Sequence, residues 1–471
     1  MIKKKYILKK PLFTLILSSI FLCSPSILAN ASEIVNGERI DLTNNWIGYV
    51  SIIVFIISYI VVMTEEFTCC KKSKPVIFAA GIIWAMIAYA YAIHGQSHIA
   101  QEAIKGNILE YSELFLFLFV AMTYVNAMAE RNVFIALRIW LTNKGYGYRK
   151  LFWIIAILSF FLSSQCDNLT TAIIMCAIVL AVGKANPKFI NLSCIVIVVA
   201  ANAGGAFCPF GDITTLMVWQ KGLVGFFEFF KLFIPSLINL LVPAAIMHFA
   251  VPKELPQSTT NVIPMKRGAR RIIFLFALTI ITSVCFRQFL GLPPVAGMML
   301  GLSYLQFMGY YLKKTYVLTN NKNLPFDIFD IISRAEWDTL LFFYGVILCV
   351  GGLGFIGYLD VISRVVYIHM GTTFANIFIG IISAVIDNIP VMYGVLTMHP
   401  VMPLGQWLLV TMTVGVGGSL LSIGSAAGIA LMGVSEGRYT FFSHLKWTPV
   451  IALGYILSIY VHFLINSSSF N

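Results

Sequence analysis

Charged residues are scarce in this chain: Asp, Glu, Lys and Arg make up 11% of its 471 residues, against 59% hydrophobic ones. That proportion lies far outside the usual globular range. A soluble chain of this length has a large core to bury, but it also needs a charged surface, and these residues cannot supply one. The cysteines are equally uninformative as a framework. None of the nine has CxxC or zinc-finger spacing. Cys166, Cys176, Cys194, Cys208 and Cys285 fall within apolar runs, where cysteine acts as a small hydrophobe, and Cys69 and Cys70 adjoin in a basic loop, so no disulfide framework follows. There is no Walker loop, no HExxH, and no GxSxG with the partners a nucleophile needs. The chain therefore reads as no enzyme, with no cofactor, and as driven by an ion gradient and not by ATP.

What is abundant is long apolar runs. Many reach the roughly 20 residues that cross a bilayer, whereas a β-barrel would show short alternating segments. The class is an all-α polytopic membrane protein. The net charge of +12 does not point to nucleic acid, because Lys and Arg sit in short clusters between apolar runs, the pattern that sets topology.

The first 31 residues have the three parts of a secretory signal: Lys3, Lys4, Lys5, Lys9 and Lys10, an apolar run from Leu12 to Leu28, then Ala29-Asn30-Ala31. An uncleaved first helix is the alternative, and either way the next segment starts outside. Trp46 to Met63 runs inward to Lys71, Lys72 and Lys74, and Val76 to Ile93 runs out to a polar loop with His94, His98 and Glu102. Glu113 to Ala129 returns, and Val133 to Leu141 is a short interfacial helix. Residues 151–182 are apolar except for Ser163 to Asn168 at their middle, and basic residues flank both ends. A re-entrant hairpin fits this, and two full crossings fit as well. Residues 189–219 then go outward and Phe226 to Phe249 inward, which closes a first half over 46–250.

A basic cytoplasmic linker (251–271) leads to a second half over 272–465 that repeats the plan upside down. Ile272 to Phe289, Pro293 to Tyr310 and Thr339 to Gly357 are spans, with Lys313, Lys314 and Lys322 in the cytoplasm; Val361 to Met370 is interfacial. Residues 374–398 form the second hairpin, entering from outside, 407–432 the counterpart of 189–219, and Trp447 to Leu464 the last span. The expected architecture is two inverted-topology repeats, each with about five spans, one re-entrant hairpin and one broken helix. The letters repeat too. Gln165-Cys166-Asp167-Asn168-Leu169 parallels Val385-Ile386-Asp387-Asn388-Ile389, and Gly204-Gly205 with Gly211 parallels Gly417-Gly418 with Gly424. Paired interruptions in corresponding halves are the best sequence pointer to a transporter's binding site.

An aspartate at bilayer mid-depth costs a few kcal/mol or more, so Asp167 and Asp387 need compensation, which a monovalent cation or a proton supplies. Asn168, Thr170, Thr171 and Asn388 add neutral oxygens of the hard type that suits sodium. Gly204-Gly205 with Pro209 and Gly211 should interrupt one facing helix, with Asn202, Asp212, Thr214 and Thr215 around the break. Gly417-Gly418 with Gly424 should interrupt the other, with Ser419, Ser422 and Ser425 around it. Glycine pairs more often mark close helix packing, but the proline and Asp212 favour a break. His94, His98 and Glu102 could bind zinc or sense pH, although a solvated helix end is the commoner meaning of such a trio. Glu336 and Asp338 open a span, where an acidic helix N-terminus is the default reading.

On these motifs the chain resembles the NhaD family of bacterial sodium/proton antiporters. The resemblance runs from about Trp46 to the C-terminus. It rests on Asp167-Asn168-Leu169-Thr170-Thr171, on Asn202 to Phe207 and Pro209 to Thr215, on Asp387-Asn388-Ile389-Pro390-Val391-Met392, and on the ending from Gly424 through His444 to Pro449. It implies efflux of Na+ and Li+ against H+ entry across the bacterial inner membrane, in the service of pH homeostasis. It implies an ion pathway of Ser163, Asp167, Asn168, Asn202, Asp212, Thr214 and Thr215 from the first half and Asp338, Ser383, Asp387, Asn388, Ser422 and Ser425 from the second. Na+ would be held at Asp167, Asn168, Asp212, Asp387 and Asn388. Cys166 and Cys208 depart from the family pattern, and Cys208 stands where a small hydroxyl residue is expected. The expected partners are Na+, H+ and the lipid bilayer, with no nucleic acid; spans outside the hairpin core leave room for a homodimer. A Na+-coupled symporter of a small organic anion is the alternative, but carboxylates at both hairpin tips would repel its substrate.

Overall fold

The computed structural model describes residues 40–68, 70–183, 186–255, 264–316 and 326–470. The signal-like segment, Cys69, Lys184 and Lys322 lie outside the described residues. All regular structure among the described residues is helical. Eight helices among the described residues are long and apolar enough to cross a membrane.

The first half opens with α1 (Trp46–Met63), α2 (Ser73–Ile93) and α3 (Ser97–Glu130). The short α4 (Val133–Asn143) follows, then α5 (Tyr148–Ser163) and α6 (Asn168–Val182), separated only by residues 164–167. Next come α7 (Pro187–Gly205), α8 (Ile213–Gln220) and α9 (Phe233–His248), the last entered through a 3-10 turn at Phe226–Leu232. The second half contains α10 (Ala269–Leu290), α11 (Pro294–Tyr316), α12 (Trp337–Ile356) and the short α13 (Tyr358–Ser363). A second pair of short helices follows, α14 (Thr372–Ile382) and α15 (Asn388–Met398), then α16 (Leu404–Gly417) and α17 (Ala426–Val434), a one-turn α18 (Phe441–Leu445) and α19 (Thr448–Ile465). The order of two closely spaced helices, a third helix, a break and a short helix thus occurs twice. Both times the paired helices pack on the one that follows, α5 and α6 on α7, and α14 and α15 on α16.

Local chemistry sets these boundaries. Asn186 caps α7 by accepting from the backbone N–H of Phe189 at 3.0 Å, with Pro187 at the first helical position. Pro209 cannot donate to a helical ladder, and Asp212 restarts the chain as the cap of α8. In the second half the restart is Ser425, the cap of α17.

Burial sorts the helices. The apolar window of α7 is 89% buried and that of α12 83%, whereas α1 has 28% and α10 22%. Helices apolar on every side belong in a core, so α7 and α12 form the centre and α1 and α10 the periphery.

Two expectations need correction. The segment with His98 and Glu102 is not a loop: α3 begins at Ser97 and runs 34 residues. The glycine pairs are also not only breaks. A Cβ on Gly204 would lie 2.1 Å from the carbonyl oxygen of Phe160, and one on Gly417 would lie 2.0 Å from that of Gly380. These two glycines let α5 and α14 touch the backbones of α7 and α16, so close packing and interruption coexist in one motif.

Candidate ion-binding site

Where α5 gives way to α6, Asp167 caps α6. Its Oδ1 accepts from the backbone N–H of Thr170 at 2.9 Å and its Oδ2 from the Thr170 hydroxyl at 2.6 Å. The next residue, Asn168, is buried and turns inward. Its Nδ2 donates to Asn202 Oδ1 and to Asp212 Oδ2, each at 3.3 Å. In the second half Asp387 holds the matching cap position of α15 but makes no cap bond. Its Oδ1 is buried without a hydrogen-bond partner. Asn388 turns inward as Asn168 does, and its Nδ2 donates to the same Oδ2 of Asp212 at 2.9 Å.

Asp212 is 3% exposed and stands at the junction. Its Oδ1 accepts from the backbone N–H of Thr214 at 3.3 Å, as an N-cap does. Asn202 extends the network to the other break, donating to the Ser425 hydroxyl at 3.0 Å. Both tips and both breaks therefore share one hydrogen-bonded cluster. With the amino groups of Asn168 and Asn388 aimed at a carboxylate, only their amide oxygens can face a cation.

The hydroxyl residues divide into three kinds. Ser163 donates to the Ala201 carbonyl at 2.6 Å and Ser383 to the Val414 carbonyl at 2.8 Å, so the first ties the end of α5 to α7 and the second the end of α14 to α16. Thr215 staples its own break, donating to the carbonyls of Asp212 at 2.7 Å and Cys208 at 3.0 Å. Cys208 thus serves through its backbone. Cys166 does too, accepting from the Thr171 hydroxyl at 3.0 Å. Thr214 and Ser422, by contrast, have buried hydroxyls with no partner. A buried polar atom left unpaired costs about 1–3 kcal/mol and in a native structure asks for an explanation such as an ion. Asp387, Thr214 and Ser422 are the three such residues at these tips and breaks.

A cavity of about 20 Å³ opens beside the junction, lined by Gln165, Cys166, Asp167, Asp212 and side chains of α3, with no cationic residue in its wall. That is room for about one water-sized particle. Among the described residues no three His, Cys, Asp or Glu side chains gather as a metal cluster. Asp167, Asp212 and Asp387 therefore do not gather as one polydentate cage.

A profile of the citrate transporter family matches residues 59–415. The chain is 54% identical to the Na(+)/H(+) antiporter NhaD of Vibrio cholerae over 96% of its own length and 98% of that protein. It is 54% identical to NhaD of Alkalimonas amylolytica, with 92% and 93% covered. The chain belongs to the NhaD family. Similarity extends to a plant protein: Sodium/proton antiporter 1 of Arabidopsis thaliana is 30% identical, covering 89% of this chain and 72% of that one.

Not every residue that the NhaD motifs nominate lies in the cluster. Asp338 accepts from the Ser73 hydroxyl at 2.5 Å and ties α12 to α2, outside the hydrogen bonds that join tips and breaks. His94, His98 and Glu102 form no metal site. Gly95, at φ +70°, separates His94 at the end of α2 from the other two on α3, and all three are exposed. All three thus lie around a solvent-exposed helix junction.

Other residues of interest carry no motif. A second cavity, of about 160 Å³, lies further toward the start of α3 and is lined by Glu110, Glu113, Lys221 and Tyr393, among others. Lys221 pairs with Glu110 there, and the Tyr393 hydroxyl donates to the same carboxylate at 3.0 Å. The signal available was thin: two acids three apart where an apolar run begins. Glu336, read as a plain helix start, accepts from the Thr339 hydroxyl at 3.2 Å. Burial, and then the charge of Asp167, push its carboxyl up to about 7, against Thr339, Lys72 and Lys71.

Proposed function

We propose that this chain exchanges Na+, and Li+, for H+ across the bacterial inner membrane by alternating access, without a cofactor. The observation that carries the reading is the convergence of Asn168 and Asn388 on one oxygen of Asp212. Relatives at 54% identity named as Na(+)/H(+) antiporters support it. A carboxylate shielded from water holds its proton to higher pH than an exposed one, so H+ and Na+ compete for the same group. Asp212 is the central exchange group and Asp387 its nearest candidate partner, since the unpaired oxygen of Asp387 and the unpaired hydroxyls of Thr214 and Ser422 are the acceptors a cation would engage. In this reading the two hairpins enter from opposite faces. Exposed apolar residues such as Trp46, Ile53, Ile57 and Ile60 on α1 are what lipid would cover.

The citrate transporter profile raises organic-anion transport as a second reading. Three aspartates at the tips and junction, a cavity wall without a cation, and space for about one water-sized particle all oppose a tricarboxylate.

The test is Na+-induced dequenching of a ΔpH dye in everted vesicles, with and without citrate. Antiport predicts dequenching by Na+ alone, lost in Asp212→Asn and in Asp387→Asn. Full activity in both variants, or a requirement for citrate, would sink the reading.

A further inference from the structure

His444 sits on the one-turn α18, contributes nothing to the cluster itself, and is fully buried. Its Nε2 lies 2.9 Å from the carbonyl oxygen of Ser419, and its Nδ1 lies 2.8 Å from the Tyr439 hydroxyl. A carbonyl can only accept, so Nε2 carries the proton and Nδ1 accepts from the tyrosine. Burial pushes the imidazole down to about 4, against the bond to Ser419, so the ring is neutral at the pH of transport.

The carbonyl it grips has a particular address. Ser419 lies at the start of the 418–425 break, the segment that carries Ser422 and ends at Ser425, which accepts from Asn202. The neighbouring carbonyl, Leu420, accepts from the Thr448 hydroxyl at 2.8 Å. The first break is built differently, with Thr215 of its own short helix binding the carbonyls of Cys208 and Asp212 from within. No corresponding hydroxyl staples the second break among the described residues, since Ser419 donates back to Val416 and Ser422 has no partner. A non-helical backbone at membrane depth is tolerable only where its groups are satisfied by protein. In the second half that duty falls to α18 and the start of α19.

We propose that His444 is a positioning residue for the transport site: its Nε2–H bond to the Ser419 carbonyl holds the second break so that Ser425 meets Asn202, and so sets Na+ affinity. This rests on the antiport reading. It assigns to a helix outside the hairpins a share in the geometry of the ion site.

The test uses the full chain in proteoliposomes, reading apparent Na+ KM, maximal rate per mole of protein and the pH profile. His444→Ala should raise the Na+ KM about tenfold, the loss of one positioned hydrogen bond of roughly 1.4 kcal/mol. Its maximal rate should stay within about twofold. His444→Gln, which keeps an N–H donor, should recover most of that affinity, and both variants should keep the parental pH profile because the ring does not titrate in the working range. Thr448→Val, removing the second tether, should raise the Na+ KM in the same direction, and it decides the matter if the alanine variant does not assemble. An unchanged Na+ KM in His444→Ala, or in Thr448→Val where that variant stands in, overturns the proposal. So does a fall in rate at unchanged KM in both His444 variants, which marks a merely structural residue. Asp212→Asn separates the two levels. If the parent shows no Na+-dependent proton movement and Asp212→Asn behaves like it, the antiport reading itself has failed and the affinity role falls with it.

Discussion

Asn388 donates to Oδ2 of Asp212 across 2.9 Å, though 176 residues separate them in the chain. The turn that opens α15 therefore reaches outside its own half of the chain. It depends on a carboxylate of the first half, which Asn168 also engages. Two tips that look symmetric in the letters share one acceptor, and their own aspartates differ: both oxygens of Asp167 accept from Thr170, while Asp387 has an oxygen with no partner.

That sharing should appear as non-additivity. Asn168→Ala and Asn388→Ala should each raise the Na+ KM by about tenfold, the value of a charge-assisted hydrogen bond of roughly 1.5 kcal/mol. The double variant should depart from the sum by about 0.5 kcal/mol or more, as residues in one network do. Additive effects in the double-mutant cycle would show that the two asparagines act independently.

The close-packed glycines should be sensitive and others should not. Gly417→Ala places a methyl 2.0 Å from the Gly380 carbonyl, and Gly204→Ala places one 2.1 Å from the Phe160 carbonyl. Each should cost about 1–3 kcal/mol through forced backbone shifts. Gly394→Ala, with nothing within 4 Å of the new methyl, should leave the melting temperature in detergent where it was or slightly higher.

His444 gives acid sensitivity a definite sign. Its folded value of about 4 lies below the ordinary 6.5, so its contribution to stability is present above pH 6.5 and is lost as pH falls toward 4. The drop corresponds to roughly 3 kcal/mol at most. The melting temperature should fall between pH 7 and pH 4, and His444→Gln should flatten part of that dependence. A slope identical in parent and variant would remove His444 as its source.

Glu336 works in the opposite direction. Its carboxyl, at about 7 against an ordinary 4.5, stabilises the fold most below pH 4.5, and that contribution is lost as pH rises through 7. Glu336→Gln should therefore raise the melting temperature at pH 8 relative to the parent and change it little at pH 4.5.

The tips and breaks were legible because each interrupts an apolar run with a residue whose burial needs a reason. Asp167, Asp212, Asp387 and Ser425 stand out on that ground alone, and all four take the cap positions that end such an interruption. The cross-half bonds were not legible. The links Asn388–Asp212 and Asn202–Ser425 span 176 and 223 residues, and no periodicity encodes which elements meet at such range. Asp338 shows the converse, since a motif match gave it a role without giving it a place. His444 lies within a recognisable motif, yet sequence shows neither its burial nor the carbonyl it holds.

One oxygen atom accepting from both Asn168 and Asn388 has a consequence for signalling within the molecule. A proton settling on Oδ2 of Asp212 would turn that oxygen into a hydroxyl, able to donate one bond and poorly placed to accept two. Asn168 and Asn388 would lose their common anchor in the same event. News of which cargo is aboard would then reach both halves at once, with no chain of intermediates to carry it and no delay between the two.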